Sequence, residues 1–253
     1  MTDPLFFADV ERLRAAAIGE VFELDGPEGH HAATVRRLVV GEKLDLSDAA
    51  GLVFSATVTA VRGHVLQVEL LTRSVFEARE PRITVVQALA KGDRDELAVQ
   101  TMTEVGVDAI VPWQASRSIV RWDDPARAEK ALARWRSTAR EAAKQARRPW
   151  LVDVRPLATT RDVTTRIESV VGNKGVAVVL HEAANRPLTD IAFTDSSEVV
   201  LVIGPEGGIA DDEVAAFERA GAITCRLGPT VLRTSTAGTV AAAIVLANSG
   251  RWT

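Results

Sequence analysis

Two stretches near the end of the chain gather the residue types that chemistry needs. Gly204-Pro205-Glu206-Gly207-Gly208 places three glycines and a carboxylate in five positions. A turn this dense in glycine lets bare backbone approach a ligand, so that amides and carbonyls can read it directly. Further on, Gly228-Pro229 opens a second turn that ends in Leu232-Arg233-Thr234-Ser235-Thr236-Ala237, a cation beside three hydroxyls. Neither stretch is a G-x-x-x-x-G-K-[ST] or a G-x-G-x-x-G loop, and Glu206 stands where phosphate needs neutral or cationic groups. Gly-Pro and Gly-Gly pairs are also ordinary turn punctuation. Spacing alone leaves a ligand site and a plain pair of turns both open.

Three further groups could carry chemistry. His181-Glu182 follows an apolar run and either caps a strand exit or borders a site. Arg136, Arg140, Lys144 and Arg147 recur at four, four and three residues, which sets them along one helix face with Glu141 and Gln145 among them. Such a stripe is either a solvated face or, with Trp135 and Trp150 flanking it as stacking platforms, a surface for single-stranded RNA. His30, His31, Arg36 and Arg37 sit on a helical candidate, Gly29–Leu38. No HExxH or other ligand spacing surrounds these histidines, so no metal is expected.

The elements that must position these residues read as alternating strand and helix. Val199–Ile203 is a continuous apolar run of the kind a buried parallel strand needs. A helix is predicted over Asp211–Ala220, closed by Gly221, and a second strand over Ile223–Leu227. Two strand exits in succession, each glycine-bearing and each followed by a helix, are where an open α/β sheet places its ligand. Upstream, Ile83–Leu89, Val107–Val111 and Val176–Leu180 are further strands. Asp93 and Glu96 have the spacing of a capping box for a helix ending at Gly106. The alternation means a parallel sheet covered by helices. The first 75 residues differ: Val21–Leu24, Lys43–Leu46, Val53–Val61 and Val65–Leu71 are closely spaced strands separated by glycine turns, which suits a small barrel. Phe76–Arg82, charged and containing Pro81, is the expected linker, dividing the chain into residues 1–75 and 76–253.

With 253 residues, 47% apolar and 25% charged, the composition is that of an ordinary globular protein. The net charge of −4 excludes a global electrostatic footprint for nucleic acid, so RNA would have to meet local basic patches. Cys225 is alone, which excludes an intrachain disulfide and a cysteine-built metal site. No apolar run reaches membrane-spanning length and the N-terminus has no signal-peptide pattern; no membrane partner and a cytoplasmic location are expected.

The two glycine-bearing stretches, IGPEGG from Ile203 and LGPTVLRTSTA from Leu227, resemble the C-terminal signature of the SPOUT methyltransferases. Specifically, they resemble the ribosomal RNA small-subunit methyltransferase E family. Lys91-Gly92-Asp93-Arg94, Thr103–Asp108, Glu141–Arg147, and His30-His31 with Val35-Arg36-Arg37 fall where that family has similar blocks, so the resemblance runs through nearly the whole chain in order. It implies an α/β SPOUT domain with a parallel sheet and a deep C-terminal trefoil knot, preceded by a small PUA-like β-barrel that helps hold RNA. It implies S-adenosylmethionine as cofactor, bound by Leu180, Glu182, Ile203, Gly204, Pro205, Gly207, Gly208, Leu227, Gly228, Leu232, Thr234 and Ala237. Its RNA contacts would be His31, Arg36, Arg37, Arg136, Arg140, Lys144 and Arg147. The implied reaction is methylation at N3 of one uridine, the 1498 position, of 16S rRNA in the small ribosomal subunit, by a homodimer paired through the knotted region.

The resemblance makes Arg233 the cation that stabilises a developing uridylate, with Glu141 and Glu206 as the carboxylates to test as proton acceptors. Glu206 at a helix-entry turn can equally accept backbone amide bonds. No metal is needed, since a sulfonium is already an activated leaving group. This chain departs from the family at three places. Ser235 replaces a glutamate, Ala210 replaces a serine and leaves Asp211 or Asp212 to cap the next helix, and Ala146-Arg147-Arg148-Pro149 leaves open which arginine corresponds. Two alternatives stay open: ribose 2′-O methylation by a related SPOUT family, and an RNA-binding ribosome-assembly factor without chemistry, the latter motivated by Ser235.

Overall fold

The structure is a computed structural model that describes residues 3–252. The chain forms two units, Met1–Ala78 together with Ala143–Leu151, and Arg79–Ala142 together with Val152–Thr253. The division expected from sequence, a single cut after residue 75, does not include the return of 143–151 to the first unit.

The first unit contains β1 (Leu5–Phe7), α1 (Val10–Ala15), β2 (Val21–Leu24), α2 (Gly26–His30), β3 (Lys43–Ser47), β4 (Leu52–Arg62) and β5 (Val65–Val75). Its sheet has the order β1-β3-β4-β5-β2, with β1 parallel to β3 and the other pairs antiparallel. Along β4, Leu52, Phe54, Ala56 and Val58 alternate inward, as a half-buried strand requires. Register shifts at Ser55/Ala56 and Val58/Ala60 bend the β4–β5 ribbon. Strands from both ends of the order therefore reach one core, where Phe6 of β1 meets Phe22 and Leu24 of β2, with Leu44, Leu46 and Leu66. The helix expected over Gly29–Leu38 instead starts at Gly26 and continues after His30 as a π-helical turn, His31–Val35. Gly29 permits its close packing: a Cβ there would lie 2.4 Å from the Leu24 carbonyl oxygen and 2.6 Å from that of His64.

The returning segment is tied into this unit by backbone and by charge. Gly51 N–H donates to Pro149 O, and Leu151 N–H donates to Ala49 O, both at 3.0 Å. Lys144 is buried, with its Nζ 3.1 Å from Glu28 Oε2 and 2.9 Å from His31 Nδ1, over the Phe6 ring. An ammonium can only donate, so His31 Nδ1 accepts and its ring proton resides on Nε2.

The second unit contains β6 (Arg82–Ala88), α3 (Arg94–Val105), β7 (Ala109–Trp113), α4 (Pro125–Gln145, whose last residues belong to the first unit), β8 (Asp153–Val154), α5 (Thr160–Gly172), β9 (Val176–Leu180), β10 (Glu198–Ile203), α6 (Asp211–Arg219), β11 (Ile223–Cys225) and α7 (Thr234–Asn248). Its six strands are all parallel in the order β11-β9-β10-β6-β7-β8. Val199 to Ile203 are buried throughout, which is why β10 is apolar without alternation. Cys225 is buried as a small core residue.

Several local expectations are corrected. Asp93 makes no capping bond, because its ψ of 8° lies outside the extended conformation that aims a cap at the helix amides. Glu96 instead pairs with Arg134, while Asp95 accepts from Trp135 Nε1 at 3.1 Å. Trp135 is only 1% exposed and packs edge-on against Trp122, so it is core and cannot stack on RNA. Neither Asp211 nor Asp212 caps α6; the Ala210 N–H is taken by Glu213 Oε2 at 3.2 Å.

Removing the cation from a buried carboxylate is costly. Lys144→Ala is expected to lower the stability of the first unit by about 3 kcal/mol in urea denaturation. Arg36→Ala, on the surface, is expected to change it by less than about 0.5 kcal/mol.

Candidate active site

In a parallel sheet every strand exits at the same edge, and here the exits of β9, β10 and β11 are neighbours. The loops that follow them, with Arg94 from the start of α3, enclose a cavity of about 530 Å³. This is the size range of a small-molecule site. Ile203, Leu227 and Leu232 supply apolar wall, and the glycine-rich turns supply backbone.

The loop after β10 is held at three points. Thr234 Oγ1, at the head of α7, donates to Gly204 O at 3.0 Å. Glu206 accepts from the Lys91 N–H at 3.1 Å and from Arg94 Nη1 at 2.9 Å. Gly208 N–H donates to Pro205 O at 2.9 Å and closes the turn, with Gly208 in the left-handed region at φ +72°. Burial opposes ionisation of Glu206, but the Lys91 amide, its own amide and Arg94 outweigh it and hold the carboxyl below its usual range. A carboxylate so engaged is a weak base; its geometry is that of a loop clamp.

Cations dominate the rim. Arg226 and Arg233 line the cavity and make no ion pair among the described residues. Arg233 is exposed, and its carbonyl accepts from Thr236 and Ala237 in the first turn of α7. His181 also lines the cavity, with Nδ1 accepting from the Ala183 N–H at 3.2 Å. Among the described residues, no group of three or more histidine, cysteine, aspartate and glutamate side chains is placed to hold a metal.

All twelve residues that the resemblance assigns to the cofactor line this cavity, as do Arg233 and Glu206. Glu141 does not; it lies on α4, away from the cavity lining. The basic stripe is split between the two units. In the second, Arg136 is exposed with its Nε donating to Val154 O at 3.2 Å, and Arg140 is half-buried. In the first, Arg36 and Arg37 are exposed and Arg147 is half-buried, whereas Lys144 is enclosed with Glu28 and His31. Lys144 and His31 are therefore committed to each other rather than presented to phosphate. Sequence reasoning gave no role to Arg94, Arg226 or Ile209. Arg94 carried a signal, its place in the Lys91–Arg94 block, but its partner Glu206 lies 112 residues away.

Comparison with known proteins agrees with this geometry. A family model described as an RNA methyltransferase domain matches residues 78–246, and one described as an RNA methyltransferase PUA domain matches 24–71. The chain is 44% identical to the ribosomal RNA small subunit methyltransferase E of Mycobacterium bovis, over 92% of this chain and 89% of that protein. The chain belongs to the methyltransferase E family. The Bacillus subtilis member is 30% identical over 85% of this chain and 86% of its own length. A member from Neisseria gonorrhoeae, solved bound to S-adenosyl methionine, has a TM-score of 0.84 at 28% identity, covering 97% of this chain and 98% of that one. The fold is thus a SPOUT-type α/β domain with an N-terminal PUA-like domain.

The clamp on the β10 loop has a pH signature. Because the folded pKa of Glu206 is depressed, its contribution is complete above the ordinary carboxylate pKa and is lost as pH falls through the depressed value. Wild type is expected to lose melting temperature faster than Glu206→Gln below about pH 4. With Arg94 more than a third exposed, the difference should stay under about 1 kcal/mol.

Proposed function

We propose that this protein transfers a methyl group from S-adenosylmethionine to N3 of the single 16S rRNA uridine named by the resemblance, within the small ribosomal subunit. The observation that carries the proposal is the coincidence, in one cavity, of the β9, β10 and β11 exit loops with an ion-pair-free arginine, Arg233, at the rim. The residues fit the cofactor. The cavity offers apolar walls for an adenine, exposed backbone in the glycine turns for its edge, and Glu182 as an anion for the cationic methionine end. When bound, S-adenosylmethionine supplies an electrophilic methyl whose bond to sulfur breaks, leaving the electron pair on sulfur, as the bond to nitrogen forms.

The chain's own residues supply positioning and electrostatics. N3 must lose its proton to become nucleophilic, and a cation beside the base lowers the cost of the uridylate. Arg233 fills this role: it is held as the residue before α7, and its guanidinium makes no ion pair among the described residues. Neither Glu206, already engaged by Arg94 and Lys91, nor Glu141, outside the cavity, is placed to take the proton. On this reading the proton leaves through solvent, with Glu182 and His181 the other titratable groups that line the cavity. Exposed arginines serve RNA as phosphate contacts that position without reading sequence, Arg36 and Arg37 on the first unit and, separately, Arg136 on the second. On the same reading the C-terminal part of the chain forms a deep trefoil knot, and two copies pair through this region.

Nucleoside mass spectrometry of subunits incubated with the protein and labelled S-adenosylmethionine tests the reading. N3-methyluridine at one site is expected; a 2′-O-methyl nucleoside, or cofactor binding without transfer, contradicts it. Arg233→Ala is expected to reduce turnover at least a hundredfold, in line with the loss of one preorganised donor, with cofactor affinity nearly unchanged. Equal loss of cofactor binding would make Arg233 a cofactor-holding residue.

A further inference from the structure

One buried carboxylate near the site has no place in the reaction. Glu213, in the first turn of α6, is 3% exposed and does not line the cavity. It accepts four hydrogen bonds from three separate segments. Its Oε1 takes the Ser116 N–H at 2.9 Å and the Thr160 hydroxyl at 2.7 Å. Its Oε2 takes the Ser116 hydroxyl at 3.0 Å and the Ala210 N–H at 3.2 Å. Ser116 follows β7, Thr160 begins α5, and Ala210 ends the β10 loop.

Four donors saturate a carboxylate, and a buried one so satisfied fixes its partners against each other. Two of those partners lead straight to the glycine turn. Arg117, next to Ser116, presses on it: a Cβ at Gly207 would lie 3.2 Å from the Arg117 carbonyl oxygen and 3.3 Å from its Cβ. Arg117 Nη1 also donates to Ile209 O at 3.3 Å. The β10 loop is thus backed by the 116–117 backbone, and Glu213 grips both the backing and the loop's last amide.

We propose that Glu213 is the positioning residue for cofactor binding, setting the height of the Gly204–Gly208 turn through Ser116-Arg117 and Ala210. This rests on the functional reading above and deepens it. Thr160 ties the same Oε1 to α5, and its hydroxyl also accepts from Trp113 Nε1 at 3.3 Å, a contact to β7 rather than to the turn. The two arms of Glu213 therefore separate a positioning role from a merely structural one.

Titration calorimetry of the full chain with S-adenosylmethionine, with melting temperatures alongside, tests this. Glu213→Gln keeps one acceptor oxygen but turns an NH₂ against the Ala210 N–H, and it is expected to weaken binding about tenfold. Ser116→Ala is expected to weaken binding several-fold and Thr160→Ala to leave it unchanged, at similar losses of melting temperature. Adding Ser116→Ala to Glu213→Gln should cost less than it does alone, since both cut the same link. Unchanged affinity in folded Glu213→Gln, or equal effects of Ser116→Ala and Thr160→Ala, would overturn the proposal. If Glu213→Gln does not fold, the comparison of the two single arms decides. A wild-type chain that fails to bind the cofactor would overturn the functional reading itself, a result distinct from either.

Discussion

The pairing of β10 on both sides is the constraint from which the rest of the second unit follows. Val199 to Val202 pair in register with β9 on one edge and Val199 to Ile203 with β6 on the other, with every side chain buried. A strand so placed has no freedom to shift, because a one-residue slip would move every side chain to the opposite face. It therefore delivers Gly204 to a fixed point, beside the exits of β9 and β6. The turn that begins there has backbone groups to satisfy: the Gly204 carbonyl accepts from Thr234 of α7, while the Glu206 side chain is held by the Lys91 N–H, before α3. A loop that would otherwise be mobile becomes one wall of a defined cavity.

Electrostatics inside that cavity run against those of the chain. The protein carries a net charge of −4, yet the cavity gathers Arg94, Arg226 and Arg233 against Glu182 and Glu206. Glu206 is used by Arg94, which leaves two arginines to face whatever enters. Such a local inversion of sign suits a site that must attract a polyanion without making the whole surface sticky to nucleic acid. It also explains why composition alone gave no hint of an RNA substrate.

What was legible in the sequence was local. The apolar run of β10, the glycine turn after it and the arginine knuckle before α7 announce themselves within a few residues, but spacing alone left a site and plain turns both open, and the residues that line the cavity were named from the family resemblance those stretches carry. What was illegible depended on partners distant in the chain. Lys144 looked like one member of an exposed stripe until Glu28 and His31, 113 residues from it in the latter case, enclosed it. Trp135 looked like a stacking platform until Asp95 and Trp122 buried it. Asp93 and Glu96 had the spacing of a capping box, but the backbone at Asp93 is turned away from the extended conformation a cap requires. Glu213 was given no role from the sequence; its meaning lies in Ser116, 97 residues earlier.

Hydrogen exchange read by mass spectrometry, with and without S-adenosylmethionine, tests most directly whether the β9, β10 and β11 exits are the cofactor site. Ligand should slow exchange in peptides covering 180–182, 203–209 and 226–237 together, and leave β4 and β5 of the first unit unchanged. Protection confined to one of the three segments, or centred on the first unit, would contradict the assignment of the cavity and of the chemistry built on it.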